Sequence, residues 1–70
     1  MVRAREANRA IERRGGYVVG QVGSHRRYEA TSGDTRCRTT VAQHPGELPT
    51  GTLRKIEKDM EPAFGKGWLR

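Results

Sequence analysis

The chain is short of nearly everything a large core is made from. Among its 70 residues there are one Trp, one Phe, two Tyr and two Met, and hydrophobic residues make up only 33%. That leaves no room for a second core, and a unit of this size buries roughly 60% of its unfolded surface, which makes it marginal on its own. We therefore expect one domain over residues 1–70, with its core at 3–61 and a C-terminal tail at 62–70. A single cysteine, Cys37, excludes an internal disulfide and points to the reducing cytoplasm. No apolar run nears the ~20 residues that span a bilayer, and the segment from Met1 to Glu6 lacks the apolar stretch of a signal peptide. No membrane partner is expected. Metal ligands are scarce as well. Besides carboxylates there are only Cys37, His25 and His44, too few for the usual three or four ligands of a zinc site. No metal and no other cofactor are expected.

What the chain has is positive charge. Fourteen Lys and Arg stand against eight Asp and Glu, a formal net charge of +6, and eleven of the fourteen are Arg. Arginine grips phosphate through a planar, two-pronged fork, so a basic domain of this kind concentrates polyanions around itself. A solubility surface built from arginine is the plainer alternative.

The apolar pattern orders the chain. Residues 3–14 read as a helix with Ala4, Ala7, Ile11 and Arg14 on one stripe and Arg5, Arg9 and Arg13 on another. Gly15-Gly16 closes it. Residues 17–22 are β-branched and aromatic and read as a strand. After the turn signal Gly23-Ser24, residues 25–31 alternate as a second strand, with Tyr28 and Ala30 on one face and His25, Arg27 and Glu29 on the other. Ser32-Gly33-Asp34 turns the chain into a third strand, 36–43. There Cys37, Thr39 and Val41 oppose Arg36, Arg38, Thr40 and Ala42. A loop at 44–51 leads to a second helix from about Thr50, a plausible N-cap, to Glu61. Its stripe is Leu53, Ile56 and Met60, and Pro62 is expected to end it. The tail holds the only Phe and Trp and either folds back on the core or docks on a partner. The fold class is α+β: an α-β-β-β-α, double-stranded-RNA-binding-domain-like chain, its three-stranded antiparallel sheet covered by both helices on one face.

The open sheet face is where chemistry is expected. His25 follows the Gly23-Ser24 turn and precedes Arg26 and Arg27. Histidine exchanges protons near neutral pH, and arginine neutralises charge that grows on a phosphate. Together they are a minimum for cleaving RNA without a metal. On the residues alone, a histidine after a turn is also what an ordinary polar surface position looks like.

Three pieces of sequence go further. They are the helix before Gly15-Gly16-Tyr17, the Gly23-Ser24-His25 step three residues ahead of Tyr28, and Thr39-Thr40-Val41 with His44 and the stretch from Leu48 to Ile56. In this order and spacing the chain resembles the HicA toxins, the mRNA interferases of HicA–HicB toxin–antitoxin pairs, from Arg3 to about Met60. The resemblance implies a cytoplasmic endoribonuclease acting on mRNA, with His25 as the catalytic residue. It also implies a HicB-like antitoxin that covers His25. Two features depart from the common pattern: Arg26 stands where many members carry a second histidine, and Gly20 and Val22 stand where basic residues often precede the turn. RNA contacts are accordingly expected from Ser24, Arg26, Arg27, Arg36, Arg38 and His44. Ser24, His44 and Arg27 are the candidates for protonating the leaving oxygen or contacting phosphate. Self-association into a homodimer is a further expectation. A non-catalytic module that binds duplex RNA by shape and a degenerate toxin kept only as a binding subunit stay open beside the enzyme.

Overall fold

Alternation of buried and exposed positions, read along the chain, builds each element in turn. A computed structural model describes residues 2–69. Helix α1 (Ala4–Arg13) starts where the Arg3 backbone N–H donates to Glu6 Oε1 at 3.0 Å, a return bond that satisfies a donor the helix cannot. Ala4, Ala7, Asn8 and Ile11 are its buried side. Arg14, which the periodicity adds to that stripe, is exposed instead, because the stripe stops at Ile11 and the chain turns away. The turn needs glycine. Gly15 has φ 95°, and a Cβ on Gly16 would strike Ile11 Cγ2, so nothing larger lets the chain fold back this tightly.

Three strands follow: β1 (Tyr17–Val22), β2 (His25–Ser32) and β3 (Thr35–Ala42). They form one antiparallel sheet in the order β1-β2-β3. Two-residue turns link them, and the first residue of each is a glycine at positive φ, Gly23 at 58° and Gly33 at 59°. A glycine first and an ordinary residue second is the arrangement whose twist suits a hairpin. The expected strands agree with the observed ones to within a residue at each end. The pattern gave no warning that the β1–β2 register shifts between Val18 and Gly20, leaving Val19 as a bulge.

On the inner face Tyr28, Ala30, Cys37, Thr39 and Val41 are buried against Ile11, Ile56 and Met60. Cys37 is thus a small buried residue. The second helix, α2 (Thr50–Phe64), packs on β3 and β2, and α1 packs on β3. Neither lies extensively over β1, whose Val18, paired with the inward Tyr28, is exposed. Both helices share one face, as expected, but they leave one edge of it bare.

Two expectations for α2 are corrected. Thr50 is the first helical residue and Pro49 the cap, with no side-chain capping bond. Pro62 lies inside the helix, which continues to Phe64. A proline removes one backbone donor, but burial just beyond it offsets that loss. Phe64 meets the Trp68 ring edge-on, with centroids 5.0 Å apart. Trp68 is buried and donates its Nε1–H to the Glu57 carbonyl at 2.8 Å, and the Arg14 guanidinium lies 5.7 Å from its ring centroid. The tail therefore folds back on the helices; Arg70 lies outside the described residues. No described helix is long and apolar enough to cross a membrane.

Candidate RNA-cleavage site on the open sheet face

Antiparallel pairing writes the outer face as rows across the strands. Nearest the β1–β2 turn is Val22–His25–Ala42, then Gly20–Arg27–Thr40, then Tyr17–Glu29–Arg38, and beyond these Thr31 beside Arg36. His25 is exposed between two small apolar neighbours. Arg27, also exposed, is two residues on, roughly 7 Å along the strand. Arg36 lies level with Thr31, roughly 20 Å from His25 by the same rise. Arg27 is therefore close enough to act with His25 on one group, whereas Arg36 is not.

The turn that carries His25 is clamped by the residues that follow β3. The Gln43 backbone N–H donates to the Ser24 carbonyl at 2.6 Å, and Ser24 Oγ lies 3.5 Å from His44 Nε2. Both histidines and Ser24 therefore stand at one end of the sheet, although twenty residues separate Ser24 from His44 in sequence. Gln43 is itself anchored: its side-chain amide faces that of Asn8 of α1 at 2.7 and 3.1 Å. Sequence reasoning gave Gln43 no role, because its partners are distant along the chain.

Arg26 is not brought to this face. Its Nε donates to Gln21 Oε1 at 3.0 Å, and its Nη1 lies 3.2 Å from the Asn8 side-chain amide. It therefore faces the helix layer. Tyr28 beside it donates to Glu12 Oε2 at 2.6 Å. Burial, and then the Glu12 carboxylate, push the Tyr28 hydroxyl above the usual tyrosine value, against an opposing pull from Arg26.

Arg36 and Arg38 do reach the outer face, and there they meet an acid. Glu29 Oε1 lies 3.6 Å from Arg36 Nε and Oε2 lies 3.7 Å from Arg38 Nε. Tyr17 Oη donates to Oε1 at 3.3 Å. Alternation put Glu29 in line with His25 and Arg27, the one signal that it belongs to the site. Among the described residues no group of three or more His, Cys, Asp or Glu is arranged to hold a metal ion. A hollow of about 330 Å³ beside His44 is rimmed by Arg3 and Arg5. The larger one, about 390 Å³ between Val2, Leu53 and Leu69, holds none of the candidate residues.

Element order, sheet and basic outer face together define a small α+β domain of the double-stranded-RNA-binding type. The family model for the HicA toxin of bacterial toxin–antitoxin systems matches residues 4–61. The chain belongs to that toxin family, whose biology implies an antitoxin partner. No curated protein and no solved structure matches it.

Proposed function

We propose that this toxin is an endoribonuclease that cleaves mRNA and so stops translation until its antitoxin neutralises it. The observation that carries the reading is the join at the β1–β2 turn: His25 exposed on the sheet, Arg27 in the next row, and Ser24 with His44 at the same end. His25 accepts the proton of a ribose 2′-hydroxyl, and that oxygen attacks the adjacent phosphorus. The phosphorus–O5′ bond breaks as Arg27 balances the charge on the phosphoryl oxygens. His44, paired with Ser24, returns a proton to the leaving O5′. The products are a 2′,3′-cyclic phosphate and a 5′-hydroxyl end, and no metal or cofactor enters the step.

The antitoxin, a HicB-like protein, covers His25. The exposed Val22 of β1 supports this landing site, because it is the cross-strand neighbour of His25 on the same face. An exposed large apolar side chain beside the histidine suits a protein contact, and a partner that buries it also closes the histidine to RNA.

Purified protein is expected to cut single-stranded RNA in EDTA, and His25→Ala to bind RNA without cutting. Undiminished cutting by His25→Ala would remove the mechanism. Intact RNA after binding to the wild-type chain would favour the non-catalytic module instead.

A further inference from the structure

We propose that the Tyr17–Glu29–Arg38 row is a nucleobase subsite that selects guanine in single-stranded RNA, with Glu29 reading the base. This rests on the endoribonuclease reading and adds the base that the face prefers.

A carboxylate is out of place on a surface that gathers phosphate. Glu29 is the one acid in the paired rows of the outer face, where its charge repels an RNA backbone. It borders a hollow of about 270 Å³ whose other walls include Val19, Arg27, Arg38 and Thr40. Its ion pairs at 3.6 and 3.7 Å are single, long contacts through Nε and not the two-pronged grip arginine can give. Oε1 also accepts from Tyr17 Oη at 3.3 Å, yet acceptor capacity remains on both oxygens, since an ionised carboxylate offers about four lone-pair sites. The Glu29 side chain is 17% exposed while those of Arg36 and Arg38 are 65% and 74% exposed. Both arginine side chains are thus mostly in water, while the acid is mostly covered. RNA phosphates compete for them and uncover the carboxylate as they do.

Guanine is the base that fits what is uncovered. Its N1–H and N2–H point the same way, two parallel donors for two carboxylate oxygens, and its O6 and N7 accept from an arginine such as Arg38. Adenine and cytosine set one amino donor beside an acceptor, and uracil sets one N–H between two carbonyls, so each brings an acceptor against Glu29. A base also needs a surface to lie on. Tyr17 is 46% exposed, and bases stack on tyrosine rings when a sheet binds single strands. In the next row, a Cβ built on Gly20 would meet nothing within 4 Å, so there is open room for a ring. Glu29 is four residues from His25, roughly 13 Å along the strand. The base it reads therefore lies a short way along the strand from the cut and not at it.

The experiment uses the full chain carrying His25→Ala and fluorescently labelled single-stranded heptaribonucleotides. One has a single guanine in a uridine background, and its matches carry inosine, which lacks the 2-amino group, or adenine. Guanine is expected to bind about tenfold tighter than inosine. Adding Glu29→Gln is expected to abolish that gap and turn the preference toward adenine, whose donor–acceptor edge matches an amide. Equal affinity for guanine and inosine oligonucleotides would overturn the subsite, and this arm needs no change at Glu29. So would a Glu29→Gln chain, folded by circular dichroism, that weakens all three equally, because that is what a merely structural ion pair predicts. Cleavage of the same RNAs by the wild-type chain is scored apart. Guanine discrimination without cutting would remove the nuclease reading and keep the subsite; cutting without base preference would do the reverse.

Discussion

Arg26 and Arg27 are neighbours in sequence with the same side chain, yet they belong to different parts of the molecule. Arg26 points toward the helices and is held by Gln21 beside Asn8. Arg27 stands on the open face in the row next to His25. The pleat alone separates them. The comparison extends to the whole sheet: the inner face, with Tyr28, Ala30 and Val41, holds the fold together, while the outer face, with His25, Arg27 and Glu29, is free to do chemistry. Changes on the inner side should cost stability, and changes on the outer side should cost RNA cleavage or binding.

The largest effect expected is on the outer face. His25→Ala should lower the cleavage rate by about 10²–10⁴-fold, the usual contribution of a positioned acid–base group, with an unchanged melting temperature. Rates measured on a fluorogenic RNA beside a thermal melt check both halves. A variant that melts much earlier would break the division of the faces.

The next largest falls in the helix layer. Trp68→Ala should destabilise the chain by about 3–5 kcal/mol, as large aromatic truncations do, since it removes a buried ring and the bond to the Glu57 carbonyl. Urea unfolding reads it. Residue 68 lies beyond the span that matches the family model, so a small loss would mean that the fold stands without its tail.

Exchanging the two arginines tests the comparison directly. Arg26→Ala should cost about 1 kcal/mol of stability and leave the salt dependence of RNA binding in place. Arg27→Ala should leave stability within about 0.5 kcal/mol and flatten the salt slope by about one phosphate contact. The reverse pattern would show that the faces have been assigned the wrong way round.

Much of this was legible before any coordinates. Alternation placed Tyr28 and Ala30 opposite His25, Arg27 and Glu29, and glycine pairs marked the turns. The same alternation, not applied to Arg26, puts it on the inner side, whereas counting local charge grouped it with the outer arginines. Periodicity overruled charge, because a strand fixes direction and charge does not. The bulge at Val19 was not legible, since it depends on the β1–β2 register, nor was the bare β1 strand, which depends on which strands the helices reach. The helix continuing through Pro62 depends on where Phe64 and Trp68 find a surface. The Ser24–His44 pairing and the Gln43 clamp join residues far apart in sequence, for which spacing carries no signal.

The last effect is on the inner face and is read through pH. Tyr28 donates to Glu12 at 2.6 Å from a buried position, and burial followed by that carboxylate holds its hydroxyl above the usual tyrosine value. A group whose folded value is raised binds its proton more tightly folded than unfolded, so its contribution is complete below the ordinary value. It fades as pH rises from there through the folded value. Tyr28→Phe should cost about 1–2 kcal/mol at pH 8, and the gap from the wild-type chain should close as pH climbs past about 10. Urea midpoints for the pair at pH 8, 10 and 11 measure that gap, with every other titrating group common to both chains. A gap that stays constant across the series would mean the hydroxyl ionises as freely in the fold as in water. The bond to Glu12 would then give the protonated hydroxyl no advantage in the fold.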